Sequence, residues 1–367
     1  MSTAAPAPVS TTNEAEHLNA LSALALGSDD QTHALNHVLS LDDAERRELL
    51  SLADSHHVTL RALVPVQQHA ISRGEGKSVS WITDAIEHEH ARIENALKHL
   101  HHICTELEDA GCPVVIIKSL DHTPDLGNDL DLYSTAPESK IVEVMKGRLS
   151  AEIEARSWGD RLANKWNFKV PGLPESVEIH VQRLGQTGEH TQLARRFVTR
   201  RVPREVGGYT FLVPAPEERI IVATLQRMYR HFYFRVCDVV NTANLANSGT
   251  LDYAELERAA KIGGIWPGVA TYLKIASDYV ARYRHGGLAL PENVLRAARF
   301  GGEKLSVRAR FLRVPMMPEG ATLYTEQVKS TALRGDVPAT LRLSLLPPLA
   351  SAAAIAYRIT GSDKGIW

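Results

Sequence analysis

Apolar residues recur at helical spacing over two long stretches of the chain. The first covers residues 16–73 and the second covers residues 81–109. Within the first, Ser40-Leu-Asp-Asp43 resembles a capping box in which Asp43 takes the place of the usual Glu or Gln. Gly111-Cys-Pro113 supplies residues that end the second stretch. Both stretches are therefore predicted to be helical.

Strand-like patterns follow in the middle of the chain. Period-two alternation, or a short β-branched run, predicts four strands: Val114–Ile117, Asp129–Tyr133, Lys165–Val170 and Ser176–Val181. The turn sequence Pro171-Gly-Leu-Pro174 predicts that the last two form a hairpin. A helix is predicted over residues 137–150, between the second strand and the third.

The pattern becomes helical again after the hairpin. Pro216-Glu-Glu218 offers the proline and first-turn acids that favour a helix start, and the apolar pattern then continues to about Ala246. Further helices are predicted from Asp252 and over residues 267–283. The fold class is therefore predicted to be α+β, with a small mixed sheet flanked by N- and C-terminal helical segments.

Changes in pattern and composition set the expected organisation of the chain. We predict a disordered tail at 1–14, an N-terminal helical segment at 15–80, an α/β domain at 81–212, a helical domain at 213–300 and a C-terminal extension at 301–367.

Composition narrows the classes of function. With 44% hydrophobic residues, 23% charged residues, a formal net charge of -2 and a pI near 6.8, the chain has no global field that attracts nucleic acid or anionic lipid. Its three cysteines, Cys104, Cys112 and Cys237, form no Cys-x-x-Cys pair. This spacing argues against a disulfide framework or a zinc site and favours the cytoplasm.

The two ends of the chain carry no pattern typical of membrane targeting. The N-terminal residues lack a basic region followed by an apolar one, so no signal peptide is predicted. The apolar stretch Leu341–Tyr357 contains Arg342 and Pro347-Pro348, which interrupt any spanning helix of about 20 residues. A buried or partner-docking helix after Pro348 is favoured over peripheral membrane contact.

The candidate chemistry begins with acids on one strand face. Because side chains alternate along a strand, Asp129 and Asp131 are predicted to lie on one face, with Leu130 and Leu132 in the core. Two adjacent carboxylates repel each other unless a cation lies between them, so this pair suggests a Mg²⁺ site.

The later hairpin repeats the pattern. Glu178 is predicted to lie on one face with His180 and Gln182, opposite Val177, Ile179 and Val181. If its strand pairs beside the Asp129 strand, three carboxylates converge. Such a group can hold two metal ions at a phosphoryl displacement.

These residues together resemble a known family. Val114–Ile117, then Lys118-Ser119, nine further residues and Asp129-Leu-Asp-Leu132 are similar to the signature of polymerase-beta-like nucleotidyltransferases. In that family a hydrophobic strand leads into a Gly-Gly or Gly-Ser turn and then a spaced Asp-h-Asp-h, where h is hydrophobic. Val177-Glu-Ile179 resembles the strand of the third carboxylate, and the resemblance covers roughly residues 95–245.

A narrower resemblance is to a little-characterised bacterial branch of nucleotidyltransferase family proteins. That branch commonly shows Lys-Gly, then Asp-h-Asp, then an acid-h-His strand and a helical tail with a His and an Asp. This chain has Lys118, Asp129-Leu-Asp131 and Glu178-Ile-His180 in those places. It departs from the branch at Ser119, where Gly is usual and allows close approach of the backbone to a triphosphate.

The resemblance implies roles for individual residues. Asp129 and Asp131 would hold two Mg²⁺ ions, with Mn²⁺ an alternative, and Glu178 would hold one of them and act as general base. Lys118 and Ser119 would face the β and γ phosphates. Further candidates for phosphate charge are Lys165, Lys169 and Arg183.

A second group lies in the predicted helix after Pro216. His231, Arg235 and Asp238 fall at i, i+4 and i+7, which places them on one helix face. They are either a salt-bridged surface or a helix packed over the nucleotide, with His231 or Arg235 near its phosphates or base.

Several plainer interpretations remain open from the sequence. Asp129 and Asp131 can belong to an exposed strand whose acids face water. A Ca²⁺ loop is disfavoured because the EF-hand spacing is absent. The five histidines of residues 88–102 lack a His-Glu-x-x-His motif and are interpreted as solvated or interface residues. Trp166 and Phe168 are interpreted as core residues.

The leading hypothesis from the sequence is transfer of a nucleoside monophosphate from an NTP such as ATP to a hydroxyl, with release of pyrophosphate. A small-molecule or protein acceptor is favoured over RNA, because the chain has no basic run. The alternative is a catalytically inactive nucleotide-binding or protein-interaction module on the same fold.

Overall fold

The N-terminal helical pattern folds into four helices. The computed structural model describes residues 11–360, so residues 1–10 of the expected disordered tail lie outside the described part. The helices are α1 (Thr11–Leu26), α2 (Thr32–Ser40), α3 (Asp43–Ser55) and α4 (Thr59–Ser72). Residues 11–14, which are expected in the tail, form the first turn of α1. This turn extends a helix that is held in the core by its buried residues Leu18 and Leu21.

The capping box at the start of α3 lies two residues further along the chain than predicted. The Asp42 side chain accepts hydrogen bonds from the backbone N–H groups of Ala44 and Glu45, and the Glu45 carboxylate accepts one from the Asp42 N–H. Glu45, not Asp43, is therefore the second member of the box, because Asp42 rather than Ser40 is the N-cap residue.

The central region forms a five-stranded mixed sheet. Its elements in chain order are α5 (Ser80–Asp109), β1 (Val114–Ile116), β2 (Asp129–Ser134), α6 (Glu138–Gly147), β3 (Glu152–Ile153), α7 (Trp158–Ala163), β4 (Lys165–Lys169) and β5 (Ser176–Val181). The strand order is β1-β2-β5-β4-β3, in which β2 and β5 are parallel and all other neighbours are antiparallel. The four predicted strands and the hairpin are confirmed.

The remaining elements are mainly helical. They are α8 (Gln192–Thr199), β6 (Arg201–Val206), β7 (Tyr209–Pro214), α9 (Pro216–Gln226), a π-helical turn (Arg227–His231), β8 (Tyr233–Phe234), α10 (Val236–Asn247), α11 (Tyr253–Gly263), α12 (Trp266–Val280), α13 (Glu292–Ala297), β9 (Ser306–Arg308), β10 (Phe311–Arg313), α14 (Ala321–Leu333), α15 (Val337–Ser344) and α16 (Leu346–Thr360). The hairpin β6–β7 was not predicted, although Gly207-Gly208 at its turn is typical of one.

The long helix predicted from Pro216 to about Ala246 is wrong. It is interrupted at Phe232, whose φ of 52° is left-handed, and the chain then forms β8, which pairs with β10. His231, Arg235 and Asp238 therefore do not share one helix face. Asp238 instead accepts a hydrogen bond from the Arg235 backbone and lies 2.7 Å from Nε of Arg227.

The sheet lies between two hydrophobic cores. One face packs with α5 and α6, through residues that include Ile116, Leu130 and Ile179. The other face contributes Val115 and Ile117 to a core shared by the N-terminal helices and the helices from α8 onward. The helical segments at the two ends of the chain thus cover the same face of the sheet, which is the face that carries Asp131 and Glu178.

The C-terminal apolar segment differs from its prediction. Helix α16 begins at Leu346, before Pro348, and the side chains that the structure describes in it are exposed or half-buried, with Ile355 58% exposed. A buried helix is therefore wrong for this segment. In residues 11–360, the helices are too short or too polar for one of them to cross a membrane.

Removal of one partner of the buried pair of Arg227 and Asp238 should destabilise the protein strongly. Both side chains are at least 95% buried, so Arg227→Leu leaves an uncompensated charge and should lower the free energy of unfolding by about 3–5 kcal/mol. The matched control is Arg296→Leu, whose partner Glu292 is exposed, with an expected loss below about 1 kcal/mol. Equal urea midpoints for the two variants would contradict this account.

Candidate metal centre

The parallel pairing of β2 and β5 brings the predicted acids together. In this register Asp131 lies opposite Glu178. The apolar residues next to the acids along the strands, Leu130, Leu132 and Ile179, are fully buried on the other face. The predicted alternation of both strands is therefore confirmed. A parallel neighbour requires a crossover, which here consists of α6, β3, α7 and β4.

Asp131, Glu178 and His180 form a group that could hold a metal ion. One ligand atom from each residue lies within 4.8 Å of the others. His180 is 6% exposed, and its Nδ1 has no hydrogen-bond partner within the described chain. Its Nε2 is 4.0 Å from Oδ1 of Asp131, beyond hydrogen-bond distance. A buried imidazole without a hydrogen bond beside two carboxylates fits a divalent cation.

Two lysines compensate part of this negative charge. Nζ of Lys118 lies 2.5 Å from Oδ1 of Asp131. Nζ of Lys165 lies 3.0 Å from both Oε1 of Glu178 and Oδ1 of Asp160. Asp129 adds a fourth carboxylate, and Arg230 and Arg235 add positive charge from the helical side.

Burial and the lysines set different protonation behaviour for the three group members. Burial raises the pKa of Asp131 to about 6, although Lys118 opposes the shift. Burial would also raise the pKa of Glu178, but Lys165 and Lys118 outweigh it and lower this pKa to about 2. Burial lowers the pKa of His180 to about 3, so its imidazole is neutral at pH 7 and can donate an electron pair to a metal.

Asp129 lies at the edge of the centre. It is exposed at the start of β2 and outside the group of three. Partial desolvation, followed by the charge of Glu178, raises the pKa of Asp129. Its carboxylate lies on the solvent side of Asp131, Glu178 and His180, the three residues that together could hold a metal ion.

Ser119 has a structural role that the sequence did not indicate. Its side chain is buried, donates a hydrogen bond to the Asp129 carbonyl (3.2 Å) and accepts one from the Asp131 N–H (2.8 Å). Beyond the end of β1, the Ser119 hydroxyl therefore makes the hydrogen bonds to β2 that backbone groups make within the paired strands. The expected contact of this hydroxyl with phosphate is not available in this arrangement.

The other predicted cations are divided between the centre and its surroundings. Lys165 is in the centre, where it pairs with acids rather than facing open space. Lys169 is exposed at the far end of β4, opposite Glu152. Arg183 lies beside Gly188 and near Arg342, whose pKa it helps to lower, and makes no ion pair with the three acids in residues 11–360.

His231 and Arg235 approach the centre from the helical side. Burial, then the charges of Arg230, Arg227, Lys118 and Arg235, lower the pKa of His231 well below its usual value. Arg235 also opposes the rise in the pKa of Asp129. Arg235 therefore lies near Asp129 and His231 lies near Lys118, even though the helix predicted to carry them is interrupted.

Sequence reasoning missed two members of the centre. His180 was placed on the same face as Glu178 but given no ligand role, although the acid-h-His spacing was a usable signal. Asp160 was missed because its sequence context is that of a capping box with Ser157. Such a pattern indicates the N-terminus of a helix, here α7, and not a metal-binding residue.

The loop between β1 and β2 is anchored by two acids. Asp125 is buried and accepts hydrogen bonds from the backbone N–H groups of residues 60–61 at the start of α4, at 2.6 and 3.2 Å. Asp121 accepts hydrogen bonds from Arg204 and Arg219 at 3.4 and 2.6 Å. The N-terminal helices and the β6–α9 region therefore fix the loop that leads into β2.

Comparison with known proteins adds no relative. No family model matches the sequence, and neither a curated protein nor a solved structure matches the chain. The functional assignment therefore depends on the centre itself.

Metal binding can be measured directly by titrating the protein with Mn²⁺ and following the free ion by electron paramagnetic resonance. Asp131→Asn and Glu178→Gln should each weaken binding by about tenfold or more, because each removes a charged ligand from a buried site. Asp109→Asn, an exposed acid at the end of α5, should have no effect. Unchanged binding in an Asp131→Asn/Glu178→Gln protein would exclude a metal centre here.

The same titration should depend on pH in a defined direction. A cation must displace the proton of Asp131, whose pKa is about 6. Mn²⁺ affinity should therefore be constant above pH 7 and fall about tenfold per unit below pH 6. Glu178 stays ionised and His180 neutral across that range, so a steeper two-proton dependence would contradict this assignment.

Proposed function

We propose that the chain is a Mg²⁺-dependent nucleotidyltransferase that moves an NMP from an NTP to a hydroxyl of a small molecule or a protein. The observation that carries the proposal is the register of β2 and β5, which brings ligand atoms of Asp131, Glu178 and His180 within 4.8 Å of one another. The resemblance of residues 114–132 and 177–180 to nucleotidyltransferase motifs supports the same reaction class.

The metal in the proposed enzyme would be held by Asp131, Glu178 and His180, with Asp129 completing the coordination from solvent. The bound cation supplies Lewis acidity at the transferred phosphoryl group and lowers the pKa of the attacking hydroxyl. Carboxylates suit Mg²⁺ and Mn²⁺, whereas a nitrogen ligand such as His180 suits Mn²⁺ better than Mg²⁺. Both ions are therefore included in the proposal.

The residues of the chain would bind and orient the triphosphate. The acceptor oxygen forms a bond to the α-phosphorus and releases its proton to water, while the bond from the α-phosphorus to the oxygen that bridges it to the β-phosphate breaks and pyrophosphate leaves. Lys118, Arg230 and Arg235 provide positive charge on the helical side of the centre. We assign Glu178 as a ligand rather than a base, because a carboxylate with a pKa near 2 is a weak proton acceptor.

One observation favours the alternative of a nucleotide-binding module without catalysis. The Ser119 hydroxyl is committed to the backbone of β2, and the glycine of the related motifs is missing, so one phosphate contact of the family is absent. The retained acids and lysines favour the enzyme over this alternative.

The proposal predicts that transfer of label depends on the acids. Each α-³²P-labelled NTP is incubated with protein, Mg²⁺ or Mn²⁺, and a cell extract as the source of acceptor. Asp131→Asn and Glu178→Gln should lower transfer by on the order of 100-fold or more, because both stabilise charge at the reacting phosphate. Asp109→Asn should transfer label at the rate of the unchanged protein.

The result separates the two functions. Label transfer that is equal in the acid variants and the unchanged protein refutes the enzyme. Nucleotide binding without transfer, under conditions in which Mn²⁺ binds, supports the non-catalytic module.

A further inference from the structure

The helices α15 and α16 carry exposed apolar residues at regular intervals. These positions follow one another every three or four residues, which places them along one side of a helix. They are Val337, Leu341, Leu345, Pro348, Ala352, Ile355 and Ile359, and we call them the apolar stripe. Its five large members are between 42% and 77% exposed.

The stripe is continuous because α16 continues the direction of α15. Leu345, the residue between the two helices, keeps right-handed helical φ and ψ, and its carbonyl accepts a hydrogen bond from the Leu349 N–H. Pro347 has no N–H to donate to the Leu343 carbonyl, and the Tyr324 hydroxyl of α14 donates to that carbonyl instead, at 2.8 Å. From residue 337 to residue 359 the stripe is therefore about 33 Å long.

The other side of α15 attaches the stripe to the rest of the protein. Ala339 and Leu343 on that side are buried. One guanidinium nitrogen of Arg342, Nη1, donates hydrogen bonds to the carbonyls of Leu162 and Thr187, at 3.1 and 2.8 Å. The stripe therefore faces away from the body of the protein. A helix with apolar residues on both its inner and outer sides is typical of one that is covered by something else.

The charges of this segment indicate what covers it. Residues 337–360 contain no Asp or Glu, and their charged residues are Arg342 and Arg358. A second copy of the stripe would bring like charges together and offer no acid to pair with them. An anionic lipid surface accepts the apolar side chains and attracts the arginines.

We propose that the apolar stripe docks on an anionic lipid surface, with α15 and α16 parallel to the membrane plane. The 15 residues of α16 are fewer than the roughly 20 that a membrane-spanning helix needs. A helix of this kind instead lies at the boundary between headgroups and acyl chains, with its apolar side buried there. This surface does not contain the acids of the metal centre, and the proposal does not depend on nucleotidyl transfer.

The test measures co-sedimentation of the full chain with vesicles of phosphatidylcholine alone, or of phosphatidylcholine and phosphatidylglycerol in equal amounts. The mixed vesicles should be bound at least about fivefold more tightly, which is the effect of one arginine near an anionic surface. Added salt should reduce this preference, because it screens the arginines from the headgroups.

Two substitutions on the stripe test its role. Ile355→Gln/Ile359→Gln should weaken binding to the mixed vesicles by at least about tenfold, because it removes two apolar side chains from the docked face. Glutamine favours helices, so the variant keeps the helical propensity of α16. The matched control is Ile71→Gln/Leu295→Gln, which removes two exposed apolar side chains from α4 and α13, and it should bind like the unchanged protein.

Binding to the mixed vesicles that is lost in the α16 variant and kept in the control supports the inference. The inference is overturned if neither kind of vesicle is bound, if both kinds are bound equally, or if the α16 variant binds like the control. Light scattering identifies the competing occupant. A dimer that forms without vesicle binding and is lost in Ile355→Gln/Ile359→Gln would assign the stripe to a second copy of the chain and overturn the lipid site.

Discussion

The arrangement of the site depends on the cost of holding like charges together in a buried place. Asp131 and Glu178 are fixed opposite each other by the register of two parallel strands, so neither can move away without breaking the sheet. Lys118 and Lys165 reduce this repulsion, and Lys165 is shared between Glu178 and Asp160. A rigid sheet that holds two carboxylates and a neutral imidazole together is preorganised for a cation.

The helices do more than enclose the sheet. Both ends of the chain contribute to the core on the site face, and Asp125 ties the loop before β2 to the start of α4. In the helical region after α9, the chain is interrupted at Phe232, and the segment before this interruption carries Arg230 and His231 towards the metal centre. Loss of the N-terminal helices would therefore free the loop that positions Asp129 and Asp131.

Local pattern was sufficient for the sheet strands and for the faces of their side chains. The alternation of Asp129–Tyr133 and Ser176–Val181 identifies which residues lie on which face, because strand geometry leaves only two faces. The break at Phe232 could not be predicted in the same way. Its cause is the pairing of β8 with β10, whose Leu312 and Arg313 lie some 80 residues further along the chain.

The details of the centre also depend on contacts between distant segments. The Ser119 hydroxyl bonds to β2 only because β1 and β2 pair, and Asp160 reaches Lys165 only because α7 folds back on β4. Sequence spacing identifies the candidate acids, but it does not show which lysine forms an ion pair with each carboxylate. That assignment changes the chemistry, since Lys165 lowers the pKa of Glu178 while burial raises that of Asp131.

The pairing of Lys118 with Asp131 has a consequence for the proposed enzyme. The ammonium group of Lys118 would compete with a metal for the same oxygen of Asp131, so a metal held there would free that group. The freed ammonium group would then be available to the phosphates of a bound nucleotide. Binding of the metal to Asp131 would free Lys118 for the triphosphate, and binding of the triphosphate to Lys118 would free Asp131 for the metal. Each ligand would therefore increase the affinity for the other.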